Sequence, residues 1–400
     1  MNKRRISFGT IEITEKAKKI INEILNTKRV AQGKYVRQFE EKFAEFVGSK
    51  YAVAVSSGTD AIALALSVMY DYGAKRGDEV ILPSLTFIGT ANAVLMAGFK
   101  PIFVDVELDT LNINPEKIEE KITERTRAIL VVHLMGKPAK IDKILKIAKK
   151  YNLFLIEDSA EAHGAKYKDK FVGTFGDMGC FSTYVAHIIS TVEGGIVITD
   201  NKNYAEILRS LRAHGRACKC VVCILNTSSG YCKKRFKYGR DIRFVFERVG
   251  FSSKMNEIEA AIGLGNLEIY EEILEKRRIN FFKLKEIFKE FEKYFYTMDE
   301  KGNEKLGPHA FPFILKENCK FKRDQLVNFL NKNGIDTRDL FASIPTQTPG
   351  YEFLGYKKGD FPVSEYIGDN GIHIGVHQEI TDEDIEYIGN LIRKFIKENG

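Results

Sequence analysis

Residues 179–200 read GCFSTYVAHIISTVEGGIVITD, from Gly179 to Asp200. An apolar, strand-like start and the β-branched run Ile196-Val197-Ile198-Thr199 enclose a short polar, turn-prone run, which puts His187 on a loop held between two strands. A side chain on such a loop is well placed for chemistry. One histidine among seven is more often a satisfied surface or core residue, so the reading depends on what surrounds it.

Working outward, Tyr51-Ala52-Val53-Ala54-Val55 reads as a buried strand that runs into Ser56-Ser57-Gly58-Thr59-Asp60 and then a helical stretch. A strand, a glycine turn and a helix start make a phosphate cradle, because unpaired N–H groups and the helix dipole both favour an anion. The same pattern also describes an ordinary strand-to-helix turn. Further strands are expected at Glu79–Pro83, Phe103–Asp105, Ala128–Val132 and Leu153–Ile156, with helices at Phe87–Ala97 and Lys140–Tyr151. That rhythm predicts an α/β fold, a mostly parallel sheet covered by helices on both faces. The strand 153–156 delivers Glu157 and Asp158 to its C-terminal end, where open α/β sheets place their ligands.

Four hundred residues, 44% of them hydrophobic, suffice for two domains, expected at 1–265 (large) and 266–400 (a smaller C-terminal α/β domain). No run of about 18 apolar residues occurs, and no apolar segment follows Met1-Asn2-Lys3-Arg4-Arg5, so a cytoplasmic chain with no membrane association is expected. A net charge of +7, from 61 basic and 54 acidic residues mixed along the chain, points away from nucleic acid and mildly towards anionic substrates. Of six cysteines, Cys218, Cys220, Cys223 and Cys232 cluster, which in a cytoplasmic chain argues for a metal rather than disulfides. Soft thiolates flanked by Arg216, Lys219, Lys233, Lys234 and Arg235 suit an iron–sulfur cluster or zinc, though the spacing is not that of a zinc ribbon.

Ser182, His187 and Glu193-Gly194-Gly195 resemble the Ser…Lys…Gly-Glu-Gly-Gly loop of the DegT/DnrJ/StrS family of pyridoxal-phosphate sugar aminotransferases. Ser57-Gly58-Thr59, Pro83-Ser84-Leu85-Thr86-Phe87, Asp158 and Gly250-Phe251-Ser252-Ser253-Lys254-Met255 extend the resemblance over nearly the whole chain. It implies an aspartate-aminotransferase-like fold of type I whose large domain binds the cofactor. Ser57, Gly58 and Thr59 would hold the cofactor phosphate, Phe87 would stack on the pyridine ring, and Asp158 would keep the ring nitrogen protonated. Ser182 and Glu161 would be further cofactor contacts, Glu161 standing where the aminotransferases commonly have Gln. Ser252 replaces an Asn that reaches the neighbouring subunit's cofactor phosphate, so a symmetric homodimer is implied.

At His187 the family has the lysine that binds the cofactor covalently, a bond that imidazole cannot form. Tyr184-Val185-Ala186-His187-Ile188 is similar to the Tyr-Pro-Ala-His-His run of a subset, the nucleotide-sugar 3-dehydrases. It differs from that run at Val185 and Ile188, and Val192 stands where the family has Gly. The subset implies untethered pyridoxamine 5′-phosphate, an NDP-4-keto-6-deoxyhexose substrate, and His187, poised near neutral pKa, as the base. Cys218-Lys219-Cys220 and Cys232-Lys233-Lys234-Arg235-Phe236 resemble the iron–sulfur members of the subset. Their remaining ligand falls at Ala160 here, so Cys223 is expected to complete the set and a reductase to supply electrons. The alternatives are zinc, a cluster-free dehydratase of the GDP-4-keto-6-deoxymannose type using an amino-acid donor, and a non-catalytic cofactor- or sugar-binding relative.

Overall fold

In the computed structural model, which describes residues 5–218, 220, 224 and 231–400, the apolar runs found in the sequence become the strands of one seven-stranded sheet. These are β1 (Tyr51–Val55), β2 (Glu79–Pro83), β3 (Lys100–Val104), β4 (Thr126–Val132), β5 (Phe154–Asp158), β8 (Met178–Ser182) and β9 (Gly195–Thr199). Two short strands intervene, β6 (Lys166–Tyr167) and β7 (Lys170–Phe171). The order is β1-β9-β8-β5-β4-β2-β3. Pairs are parallel from β3 to β8, and β9 alone runs against its neighbours.

Alternation along each strand explains the layers. Ala52 and Ala54 join Phe39 and Phe43 of helix α2 (Lys34–Val47), which packs beside α1 (Glu15–Thr27). Val53 and Val55 face the other way, into the cluster built on α3 (Gly58–Val68), α4 (Ile88–Met96) and α6 (Lys202–Leu211). Helix α5 (Ile141–Lys150) covers Ile81, Ile129 and Val131. A mainly parallel sheet buried on both faces needs such near-continuous apolar strands.

A second sheet, β10-β12-β14-β13, is antiparallel throughout. It comprises β10 (Phe295–Thr297), β12 (Ala310–Leu315), β13 (Thr337–Asp339) and β14 (Gly371–Gly375). The short β11 (Glu304–Lys305) pairs with β6. Phe281, Phe288, Phe295, Phe311 and Phe313 form the centre of this region's core, and Ile6 and Phe8 from the start of the chain pack into it. Among the described residues no helix is long and apolar enough to cross a membrane.

Candidate active site

The C-terminal ends of β4, β5 and β8 meet the start of α3 at a cavity of about 480 Å³. Asp158, the last residue of β5, forms its floor and is 4% exposed. The carboxylate accepts from the Thr90 hydroxyl at 2.8 Å and from the Ala160 N–H at 3.1 Å. Burial raises its pKa, against those two donors and His133. No ion pair forms on it among the described residues, so the floor presents a carboxylate held only by neutral donors.

Glu161 shares the floor. Its Oε2 accepts from the Met135 N–H at 2.9 Å, and burial, reinforced by the Asp158 charge, pushes its pKa up to about 8. At neutral pH it is therefore a carboxylic acid, able to donate a hydrogen bond.

Ser57 caps α3, accepting from the Asp60 N–H at 3.0 Å, and the helix's opening turn leaves N–H groups that no intrahelical carbonyl can take. The fit around this cup is tight. A Cβ on Gly58 would sit 2.6 Å from the Ser182 Cβ, and one on Gly89 would sit 2.7 Å from the Thr59 hydroxyl. Phe87 is 57% exposed at the cavity mouth, tilted against Phe341 at 5.9 Å.

His187 lies on the β8–β9 loop, its N–H donating to the Tyr184 carbonyl at 2.9 Å. Its ring is 4.9 Å from His309 and 6.1 Å from His163, and its Nδ1 is buried with no hydrogen-bond partner among the described residues. Burial, then His163 and Arg277, hold its pKa well below the ordinary value. This corrects the expectation of a near-neutral pKa: the imidazole is firmly uncharged at neutral pH.

The structure thus brings Ser57, Gly58, Thr59 and Phe87 together with Asp158, Glu161, Ser182 and His187 on one cavity. Sequence reasoning missed His309, Arg338 and His373, which line it from the second sheet, and gave Glu193 no role. A usable signal existed for His373, a buried histidine in the middle of an apolar strand. Ser252 is not among the lining residues. It is exposed and bridges to Ala213, while its neighbour Ser253 accepts from the Ser56 N–H at 3.1 Å.

Of the four clustered cysteines, Cys223 lies outside the described residues. Cys218, Cys220 and Cys232 are free thiols; burial and then Cys218 push the Cys220 pKa up to about 11. Among the described residues no group of three or more His, Cys, Asp or Glu is placed to hold a metal ion. The iron–sulfur expectation finds no built site there.

An unopposed buried carboxylate, a glycine-tight cup at a helix start and an aromatic ring at the mouth suit a flat phosphorylated pyridine. They define an α/β scaffold of the fold-type I, pyridoxal-phosphate class. The chain belongs to the DegT/DnrJ/EryC1/StrS aminotransferase family, whose profile matches residues 11–393. It is 36% identical to dTDP-4-dehydro-2,6-dideoxy-D-glucose 3-dehydratase of Saccharopolyspora spinosa, over 92% of this chain and 81% of that protein. It is 34% identical to GDP-perosamine synthase of Escherichia coli O157:H7, over 96% of each. The solved structure of E. coli GDP-4-keto-6-deoxy-D-mannose-3-dehydratase with bound hydrated PLP matches with a TM-score of 0.85 at 31% identity, covering 97% of this chain and 100% of that one.

Proposed function

We propose that this chain is a nucleotide-sugar 3-dehydratase of deoxysugar biosynthesis that uses untethered pyridoxamine 5′-phosphate, with His187 as its base. One observation carries the reading: at the family's covalent-anchor position stands an uncharged imidazole that opens on the same cavity as Asp158. The 3-dehydratase relatives and the PLP-bound neighbour support it, and they point to an NDP-4-keto-6-deoxyhexose as substrate. An aminotransferase reading needs a lysine anchor, and no lysine lines the cavity among the described residues.

When bound, the cofactor supplies an amine that joins a keto sugar and a ring that takes up electrons. Asp158, oriented by Thr90 and the Ala160 N–H, keeps the ring nitrogen protonated. The opening turn of α3 would hold the phosphate, and Phe87 would cover the ring. Glu161 donates from its protonated carboxyl. His187 would serve as the base that accepts a proton at the reacting centre, a role that requires the neutral imidazole that burial maintains.

Two extensions belong to this proposal. A cluster-bearing form, fed by a reductase, rests on Cys218, Cys220, Cys223 and Cys232; iron and acid-labile sulfide in anaerobically prepared protein would support it, and their absence would leave the cluster-free form. A symmetric homodimer is supported by the exposed apolar residues Phe236 (58%), Phe244 (65%) and Val249 (82%) in the stretch that precedes Ser252 in sequence, and sedimentation tests it.

The decisive experiment uses His187→Asn. Dehydration is expected to be abolished while pyridoxamine phosphate still binds, and borohydride should leave no cofactor attached to the unmodified enzyme. Full activity in the variant would overturn the assignment.

A further inference from the structure

Arg277 sits on the helix Tyr270–Phe288 and is 1% exposed. Its guanidinium donates only to backbone carbonyls: Nη1 to His309 at 3.2 Å, Nη2 to Ala186 at 3.2 Å and to His187 at 3.4 Å. Its Nε has no partner and no carboxylate pairs with it, both among the described residues. A buried guanidinium is usually matched to a carboxylate, because an unanswered charge in the interior is costly. Here burial brings even this group down to about 10. A side chain kept at that cost, and touching both segments that carry the paired rings, calls for an explanation beyond packing.

We infer that Arg277 is the positioning residue of the histidine pair: it ties the His187 loop to the entry of β12 through three carbonyls and sets an unanswered positive charge behind both rings. The charge acts against protonation of His163, His187, His309 and His377. Other groups bear on the pair too. His373 and Arg338 act on His309, and Asp158, Glu161, Tyr184 and Glu193 share the cavity wall. An ionised carboxylate such as Asp158 would favour imidazolium, and Arg277, joined at His309 by Arg338, is a fixed charge that opposes it. The link to catalysis rests on the dehydratase reading; the protonation state does not.

Histidine-selective NMR titration of the full-length protein, with His187→Asn and His309→Asn to assign the signals, tests the inference without measuring turnover. In the unmodified protein both rings should titrate well below the ordinary imidazole value of about 6.5. In Arg277→Gln both should rise by the part that the guanidinium contributes while burial still keeps them below the ordinary value, whereas Arg277→Lys, which keeps the charge, should leave both where they were. Ordinary titration in the unmodified protein overturns the inference, and that measurement decides it even where Arg277→Gln does not fold. Unchanged titrations in a folded Arg277→Gln, or an equal rise in Arg277→Lys, also overturn it. A rise in Arg277→Gln with an unmoved acid limb of the pH–rate profile upholds the inference and instead removes His187 from its role as base.

Discussion

The floor and the wall of the cavity are built in opposite ways. On the floor, Asp158 and Glu161 stand three residues apart on one strand end and are oriented by the donors Thr90, Ala160 and Met135. On the wall, His187, His309 and His373 come from separate segments, with His163 packed against His187 from behind, and the Nδ1 atom of all four is buried without a partner among the described residues. Leaving a buried polar atom unpaired costs on the order of 1–3 kcal/mol. Groups whose charge must be fixed beforehand are tied down, and groups that handle protons keep an open nitrogen. The contrast teaches where stability has been given up for chemistry.

Breaking the floor should have the largest effect. Asp158→Asn keeps the shape of the side chain, and its amide can still meet Thr90, but it cannot hold a ring nitrogen protonated. Activity should fall on the order of a thousand-fold, the scale of losing a preorganised electrostatic group, with little change in melting temperature. Steady-state kinetics beside thermal unfolding checks this, and a loss of less than tenfold would show that the floor's charge is not what the chemistry uses.

The floor was readable in advance and the wall was not. Asp158 follows from the periodicity of β5, and Ser57-Gly58-Thr59 from a strand-to-helix turn, both local signals. His309 and His373 enter through the second sheet, more than a hundred residues beyond His187, so no spacing rule connects them. The near-neutral pKa expected for His187 failed for a related reason, since burial, then His163, then Arg277, 90 positions away, depress it. Ser252 shows the limit of motif reading within one chain: the motif is present, but the residue lies off the cavity. The cysteines show another limit, because ligand spacing states a capacity for metal and not a built site.

The wall should also govern acid stability. Burial holds the pKa of His163 down to about 4 and that of His373 to about 3. Their folded values lie below those of the unfolded chain, so the unfolded state binds more protons as pH falls. Stability is complete above about 6.5 and is lost on descending towards the folded values, by on the order of 3 kcal/mol for His163 alone. His163→Phe should sit among Phe43 and Phe181, give up the hydrogen bond from Nε2 to the Ser182 carbonyl, and flatten the decline of melting temperature below neutral pH. An equally steep decline in that variant would mean that other groups drive acid unfolding.

The smallest effect on turnover is expected at Glu161, whose pH dependence of stability runs opposite to that of the histidines. Its pKa is raised from 4.5 to about 8, so the folded state binds the extra proton and stability falls as pH rises through that window. Glu161→Gln replaces a protonated carboxyl with an amide of the same shape that also donates a hydrogen bond and still offers an oxygen to the Met135 N–H. Activity at neutral pH should therefore stay within about threefold, a difference below 1 kcal/mol in barrier height. The melting temperature of the variant should lack the part of the decline that Glu161 causes between about pH 4.5 and pH 8 in the unmodified protein. Glu161→Asp is the counter-test, since it keeps the acid but withdraws it from Met135. Should Glu161→Gln lose activity as severely as Asp158→Asn, the group works as an anion, and the floor holds two charges rather than one.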